Sequence, residues 1–171
     1  MPDRSKLTFL IGGARSGKSA HAETLATALP PPWIYIATAQ AYDDEMHERI
    51  ALHRSRRGEG WTTIDAPLDL AGTLAALPDD QPVLVDCLTL WLTNHMLAEH
   101  DLGLECRRLA EVLSRPRGPW FVVSNEVGQG IVPDNALARR FRDAAGRLNQ
   151  QVAAVADTVL LMVAGLPLKV K

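Results

Sequence analysis

Leu7-Thr8-Phe9-Leu10-Ile11 followed by Gly12-Gly13-Ala14-Arg15-Ser16-Gly17-Lys18-Ser19 is the stretch that decides the fold. The first five residues read as a buried strand, and the next eight match G-x-x-x-x-G-K-[ST] in full. A helical pattern runs on from Lys18 to Leu29, so the motif lies between strand and helix, where its physics requires it. Glycines let successive backbone N–H groups turn toward phosphate oxygens, and the helix N-terminus adds its dipole. Lys18 is then expected to reach the β and γ phosphates of a nucleoside triphosphate, and Ser19 to ligate Mg²⁺.

Outward from this loop, short apolar runs alternate with longer helical patterns. Pro30-Pro31-Pro32 stops the first helix, because proline lacks a donor and disfavours helix in the residue before it. Trp33–Ala37 reads as a second strand, Asp43 to Arg57 as a helix, and Trp61–Asp65 as a short third strand. Pro82–Asp86 is a strand closed by a carboxylate. Helices are expected at Leu88–Glu99 and Leu104–Leu113, a strand at Trp120–Ser124, and the longest helix from Asn135 to Val155 behind an Asp134 cap. Thr158–Val163 is the last long strand, with Lys169–Lys171 continuing the pairing at the edge. This alternation predicts an α/β fold of the P-loop NTPase, RecA-like type: a mostly parallel sheet, helices on both faces, one antiparallel edge strand. Gly58-Glu59-Gly60 and Pro78-Asp79-Asp80 are turns rather than linkers, so residues 1–171 form one domain.

Composition narrows the partners. A net charge of −2 disfavours a nucleic-acid partner, which usually meets a basic excess. Leu7–Ile11 is too short for a signal core or a membrane span, and two cysteines, Cys87 and Cys106, make no disulfide framework. A cytoplasmic chain without membrane insertion is expected.

Asp86 sits where a P-loop protein keeps the carboxylate that holds Mg²⁺; it is also placed to cap the helix from Leu88. Asp65 closes its own strand in the same way, as a site carboxylate or a surface turn. The helix from Asp43 starts acidic and ends basic, in keeping with its dipole. Within it Arg49, His53 and Arg56 fall at i, i+4 and i+7, and Met46 and Ile50 share a stripe with His53. An imidazole among guanidinium groups suits attack on a phosphate, with the arginines neutralising developing oxyanion charge. A surface histidine on a basic helix end is the alternative. His21, His47, His95 and His100 carry no such setting. The glycine-containing Asn125–Pro133 stretch follows a strand on the expected ligand edge of the sheet and reads as a loop shaped around a ligand. Arg139, Arg140, Arg142 and Arg147, on the helix behind it, suit phosphate, a partner subunit or solvent.

No Asn-Lys-x-Asp base reader occurs, and Asp86 opens no Asp-x-x-Gly switch, which argues against a regulatory GTP-binding module. A small-molecule kinase or nucleotidyltransferase fits the length best.

Taken together, the motifs resemble the bifunctional adenosylcobinamide kinase / adenosylcobinamide-phosphate guanylyltransferase family of cobalamin biosynthesis. The likeness runs from Leu7 to Lys171. It rests on Gly12–Ser19, Tyr35-Ile36-Ala37-Thr38-Ala39, Asp43-Asp44-Glu45-Met46, Arg49-Ile50, His53, Trp61 and Thr93-Asn94. Ser124–Pro133 and Phe141–Gln150 complete it. The resemblance implies two steps. The γ-phosphate of ATP or GTP goes to the hydroxyl of the aminopropanol arm of adenosylcobinamide; a histidine then takes GMP from GTP and passes it to adenosylcobinamide phosphate. By position His53 matches the guanylylated histidine, and Gly12 to Ser19 match the triphosphate loop. Ala37, Thr38 and Ala39 line the nucleotide site, and Arg54, Ser55, Arg56, Arg57, Asp65 and Asp86 match further nucleotide or metal contacts. Relatives can hold glutamate where this chain has Asp65 and Asp86, so a shorter arm meets the ligand here. The likeness also implies a homotrimer. A small-molecule P-loop kinase without guanylylation is the alternative enzyme.

Overall fold

The computed structural model describes residues 6–171. The expectation for the first residues of the chain, that they carry no leader, lies largely outside that range. Seven strands form one sheet: β1 (Leu7–Gly12), β2 (Trp33–Ala37), β3 (Trp61–Asp65), β4 (Val83–Asp86), β5 (Trp120–Asn125), β6 (Thr158–Val163) and β7 (Leu166–Lys169). Their order is β3-β2-β4-β5-β1-β6-β7. Every pair is parallel except β6 with β7. The phosphate-loop strand β1 is therefore separated from the carboxylate strand β4 by one intervening strand, β5, the arrangement expected of a RecA-like sheet.

Side chains on the central strands alternate between two cores, because successive Cβ atoms point to opposite faces. Leu7, Phe9, Ile34, Ile36, Val83, Val85, Trp120 and Val122 face one core. Leu10, Tyr35, Leu84, Phe121 and Val123 face the other. Both faces being covered explains why these strands read as continuous apolar runs rather than as alternating ones. The first core is roofed by α3 (Leu70–Ala75), α4 (Leu88–Leu97), α5 (Leu102–Leu113) and α6 (Ala136–Val155), the second by α1 (Lys18–Thr27). The remaining helix, α2 (Asp44–Arg56), buries none of its residues. Asp43 caps it by accepting a hydrogen bond from Met46 N–H at 2.8 Å.

Several sequence expectations shift. Asn135, not Asp134, caps α6: the chain is extended at Asn135, and its side chain accepts from Ala138 N–H at 2.8 Å. Asp86 does not cap α4, because Cys87 occupies that position and no side chain bonds there. The edge strand is β7 at Leu166–Lys169, reached through a two-residue turn with positive φ at Ala164 and Gly165. Val170 and Lys171 still pair with the Val159 backbone. Helix α3 has no expectation in the sequence. It is a six-residue helix capped by Asp69, which bonds Gly72 N–H at 3.1 Å, too short to show periodicity.

Candidate active site

The loop after β1 is closed by its own residues and by the far end of the sheet. A Cβ at Gly12 would stand 2.7 Å from Met162 O, so only glycine lets β6 pass this closely. Gly17 adopts φ 94°, and a Cβ there would meet Gly165 Cα at 3.1 Å. Gly165 N–H donates to Ser16 O at 2.9 Å, tying the β6–β7 turn to the loop. Lys18 is only 6% exposed, and its ammonium donates to Gly13 O at 2.6 Å and Ser16 Oγ at 3.4 Å. Burial lowers the Lys18 pKa, while electrostatic interactions with Cys87 and Asp86 raise it in part. Its charge lies inside the loop, where β and γ phosphate oxygens would take over these bonds.

Two cavities open on either side of this loop. The smaller, about 340 Å³, is lined by Ser19, Tyr35, Ala37, Ala39, Met46, Arg49, Ile50, His53, Arg54, Arg57, Asp86 and Leu90. The parallel registers deliver these residues. Ala37 pairs with Asp65 on one side and Asp86 on the other, so three strand ends converge at one edge. His53 is brought over that edge by the last turns of α2. Three arginines accompany it, at i−4, i+1 and i+4. Arg56, expected beside His53 from its spacing, is not among the lining residues. The chain leaves the helix at Arg57 in an extended conformation, and that turn brings Arg57 in instead. Ser55 bonds its own helix, donating to Leu52 O at 2.8 Å, and also lies outside the lining.

Each arginine is held differently. Arg49 pairs with Glu45 at 2.6 Å on the exposed helix surface. Arg54 grips both oxygens of Asp65 at 2.6 Å, which anchors α2 to β3 and raises the Arg54 pKa. Arg57 lies 3.6 Å over the Tyr35 ring and donates to Thr63 Oγ1 at 3.3 Å. Its buried Nε and Nη1 find no hydrogen-bond partner among the described residues. A buried guanidinium with unmet donors is costly in isolation and suits an anionic ligand.

Three neighbours, Tyr35, Glu23 and Asn94, have no role assigned by the sequence. The Tyr35 hydroxyl donates to Asp86 Oδ2 at 3.1 Å, while its ring supports Arg57, so one buried residue joins carboxylate to guanidinium. Burial, then the Asp86 charge, raises the Tyr35 pKa, which keeps it a donor. Glu23 lies one turn after Ser19 on α1; burial raises its pKa, with the charges of Arg57, Asp86 and His53 acting on it. Asn94 fastens the strand ends by donating to Thr38 O at 2.7 Å and Pro67 O at 2.9 Å. Thr38 itself is fully buried and bonds Cys87 N–H and O, so it shapes the β2 end from behind while Ala37 and Ala39 face the cavity. Burial pushes both thiols, Cys87 and Cys106, up to about 11, so neither is a nucleophile near neutrality.

Among the described residues no group of three or more His, Cys, Asp or Glu side chains converges on a point. Ser19 and Asp86 share one cavity, and one carboxylate plus one hydroxyl fits Mg²⁺, which keeps waters and takes its other oxygens from phosphates.

The larger cavity, about 700 Å³, lies on the other side of the loop. Gly13–Ser16, residues from Glu126 to Gly130, and the end of β6 with Ala164 enclose it.

Sheet order, phosphate loop and paired carboxylate define a P-loop nucleoside-triphosphate enzyme. The family comes from the whole chain: residues 8–170 match the model of cobinamide kinase / cobinamide phosphate guanyltransferase, and the chain belongs to that family. It is accordingly a bifunctional kinase and guanylyltransferase that works on cobinamide-related substrates. The chain is 48% identical over 166 residues to the bifunctional adenosylcobalamin biosynthesis protein CobP of Pseudomonas aeruginosa, covering 95% of this chain and 96% of that protein. It is 41% identical over 182 residues to CobU, of the same description, from Salmonella typhimurium, covering 96% and 99%. Among solved structures, the ATPase EscN from the type III secretion system of enteropathogenic E. coli matches with a TM-score of 0.57. Identity is 12%, with 94% of this chain and 43% of that one covered, a likeness of fold alone. A Pyrococcus horikoshii protein matches with a TM-score of 0.58 at 10% identity, over 98% and 87% of the two chains.

Proposed function

We propose that this chain phosphorylates the aminopropanol hydroxyl of adenosylcobinamide with ATP or GTP. It then takes GMP from GTP onto His53 and passes it to adenosylcobinamide phosphate, yielding adenosylcobinamide-GDP. The observation that carries the reading is the shared cavity: His53, Arg49, Arg54 and Arg57 face Ser19 and Asp86 across one small space.

Gly12 to Ser19 cradle the triphosphate, with Lys18 on the β and γ phosphates. Ser19 and Asp86 would hold Mg²⁺, which when bound would neutralise phosphate charge. Ala37 and Ala39 present small side chains to the nucleotide, and Thr38 fixes the backbone between them. Asp65 acts through Arg54, whose guanidinium it orients. Ser55 and Arg56, implied nucleotide contacts at the end of α2, lie outside the lining of the cavity. An imidazole nitrogen of His53 attacks the α-phosphorus; the N–P bond forms as the α–β bridging bond breaks and pyrophosphate leaves. Arg57 and Arg54 offset the charge that builds on the α oxygens. A phosphate oxygen of the corrinoid then displaces histidine from phosphorus, and GMP is transferred. A reduced, cytoplasmic, homotrimeric enzyme goes with this reading; the two buried free thiols support the first term. No helix of the described residues is long and apolar enough to cross a membrane.

Chromatography of the corrinoids after incubation with adenosylcobinamide, GTP and Mg²⁺ tests the proposal. Adenosylcobinamide phosphate and then adenosylcobinamide-GDP are expected, with His53→Ala stopping at the phosphate. A wild type that also stops there would leave a small-molecule kinase without guanylylation.

A further inference from the structure

Two stretches of the sequence, Ser124–Pro133 and Phe141–Gln150, take no part in the lining of the His53 cavity. They meet at Asn125, the last residue of β5. Asn149 Nδ2–H donates to Asn125 O at 3.2 Å, and Asn149 is itself held by the Ser124 hydroxyl, which donates to Asn149 Oδ1 at 2.7 Å. From α4, Thr89 Oγ1 accepts from Asn125 N–H at 2.8 Å. The backbone of Asn125 is thus fastened to two helices. Its carboxamide is half-buried and forms no hydrogen bond among the described residues.

The strand decides where that carboxamide points, because successive side chains take opposite faces. Ser124 faces Asn149 on α6, whereas Phe121 and Val123 face the core beneath α1, and Asn125 shares their face. The parallel registers set its neighbours there. Val123 pairs with Asp86 and Asn125 pairs with Gly12, so Asn125 stands between the carboxylate strand and the phosphate-loop strand. It is one strand spacing, about 4.8 Å, from Gly12. On this face the loop folds back over the sheet: a Cβ at Gly12 would stand 2.7 Å from Ser16 Oγ, and that hydroxyl accepts from Lys18 Nζ at 3.4 Å. Lys18 serves the β and γ phosphates, and Ser19 and Asp86 would hold their Mg²⁺. The place for the γ-phosphoryl group is then between Lys18 and Asp86, over the strand end that carries Asn125.

We propose that Asn125 is a catalytic residue of the kinase step, its carboxamide N–H donating to a γ-phosphoryl oxygen. This rests on the kinase half of the bifunctional reading above. The acceptor hydroxyl oxygen forms a bond to the γ-phosphorus while the bond from that phosphorus to the β–γ bridging oxygen breaks. The electron pair leaves on the nucleoside diphosphate, and the hydroxyl proton is released to water. Charge spread over the remaining γ oxygens is met by Lys18 and Asn125. Thr89 and Asn149 fix that donor before the reaction begins, so it needs no reorganisation during transfer.

Asn125→Ala and the near-isosteric Asn125→Asp, each with its urea midpoint compared with wild type, test the assignment. Loss of one preorganised donor is expected to lower the kinase kcat for adenosylcobinamide by about 10²–10³-fold. Aspartate, which turns a carboxylate toward the γ oxygens, should lower it further. Calorimetric titration separates this contact from a structural role. Binding of β,γ-imido-GTP should weaken about tenfold in Asn125→Ala, because a hydrogen bond to a charged group is lost, while GDP binds as it does to wild type. Labelling from α-labelled GTP should show the defect in KM rather than in kcat, because the bond broken there is the α–β one. An undiminished kinase kcat, or equal weakening of GDP and the imido analogue, overturns the assignment. A wild type that binds the analogue yet neither phosphorylates nor acquires label would instead refute the bifunctional reading, and the titrations would still decide whether Asn125 touches the γ-phosphate.

Discussion

Tyr35 offers the sharpest test of how the small cavity is built, since one buried ring supports two charged groups. Tyr35→Phe removes only the hydroxyl, which donates to Asp86 Oδ2 at 3.1 Å, and keeps the ring under Arg57 at 3.6 Å. Hydrogen bonds to charged groups contribute about 1.5–3 kcal/mol. Asp86 is only partly buried and water can replace some of the lost bond, so the lower end applies, about 1.5 kcal/mol. That is about a tenfold change in an equilibrium constant. It should appear as a lower urea midpoint and as about a tenfold higher Mg²⁺ concentration for half-maximal GTP binding. Tyr35→Leu also removes the surface beneath Arg57, at a further cost of about 0.5–2 kcal/mol. It should weaken GTP binding even at saturating Mg²⁺. A Tyr35→Phe protein with wild-type urea and Mg²⁺ midpoints would refute the claim that Tyr35 orients Asp86.

Gly17→Ala should destabilise the loop by about 1–3 kcal/mol, because φ 94° is strained for a side chain and the new Cβ meets Gly165 Cα at 3.1 Å. Isothermal titration with GTP should show weaker binding, whereas Gly13→Ala, where a Cβ meets nothing within 4 Å, should bind as wild type. His95 carries a pH dependence. Its Nε2–H donates to Leu68 O at 3.0 Å, so Nδ1 accepts from His100 Nδ1–H at 2.9 Å. Burial lowers the His95 pKa from 6.5, so the unfolded chain binds a proton that the folded chain resists. Stability is complete above about pH 6.5 and declines as pH falls through and below that value. Urea melts should show this decline, and His95→Gln should flatten it; an unchanged slope would contradict the assignment.

The sheet, its mixed edge and the phosphate loop are legible because they rest on local signals: apolar runs, proline stops and a glycine motif. Asp86 and Asp65 are legible for a related reason, since a carboxylate ending an apolar strand stands out. Tyr35 and Glu23 are not, because one looks like a core aromatic and the other like an ordinary helix glutamate until β4 and α2 are in place. Spacing on α2 points to Arg56 as the neighbour of His53, but a helix wheel cannot show where the helix stops, and Arg57 enters by leaving it. Likewise Asn135 displaces Asp134 as the cap of α6 because one residue of backbone decides which side chain reaches the Ala138 amide. The tie from Gly165 to Ser16, about 150 residues apart in sequence, exists only through the parallel register of β1 with β6.

Covalent labelling of the wild-type protein with α-labelled GTP and Mg²⁺, followed by peptide mapping, tests the central claim most directly. The account predicts acid-labile, base-stable label on the peptide carrying His53, absent in His53→Ala and lost when adenosylcobinamide phosphate is added. Label on another residue, or none under conditions where GTP binds, would contradict it.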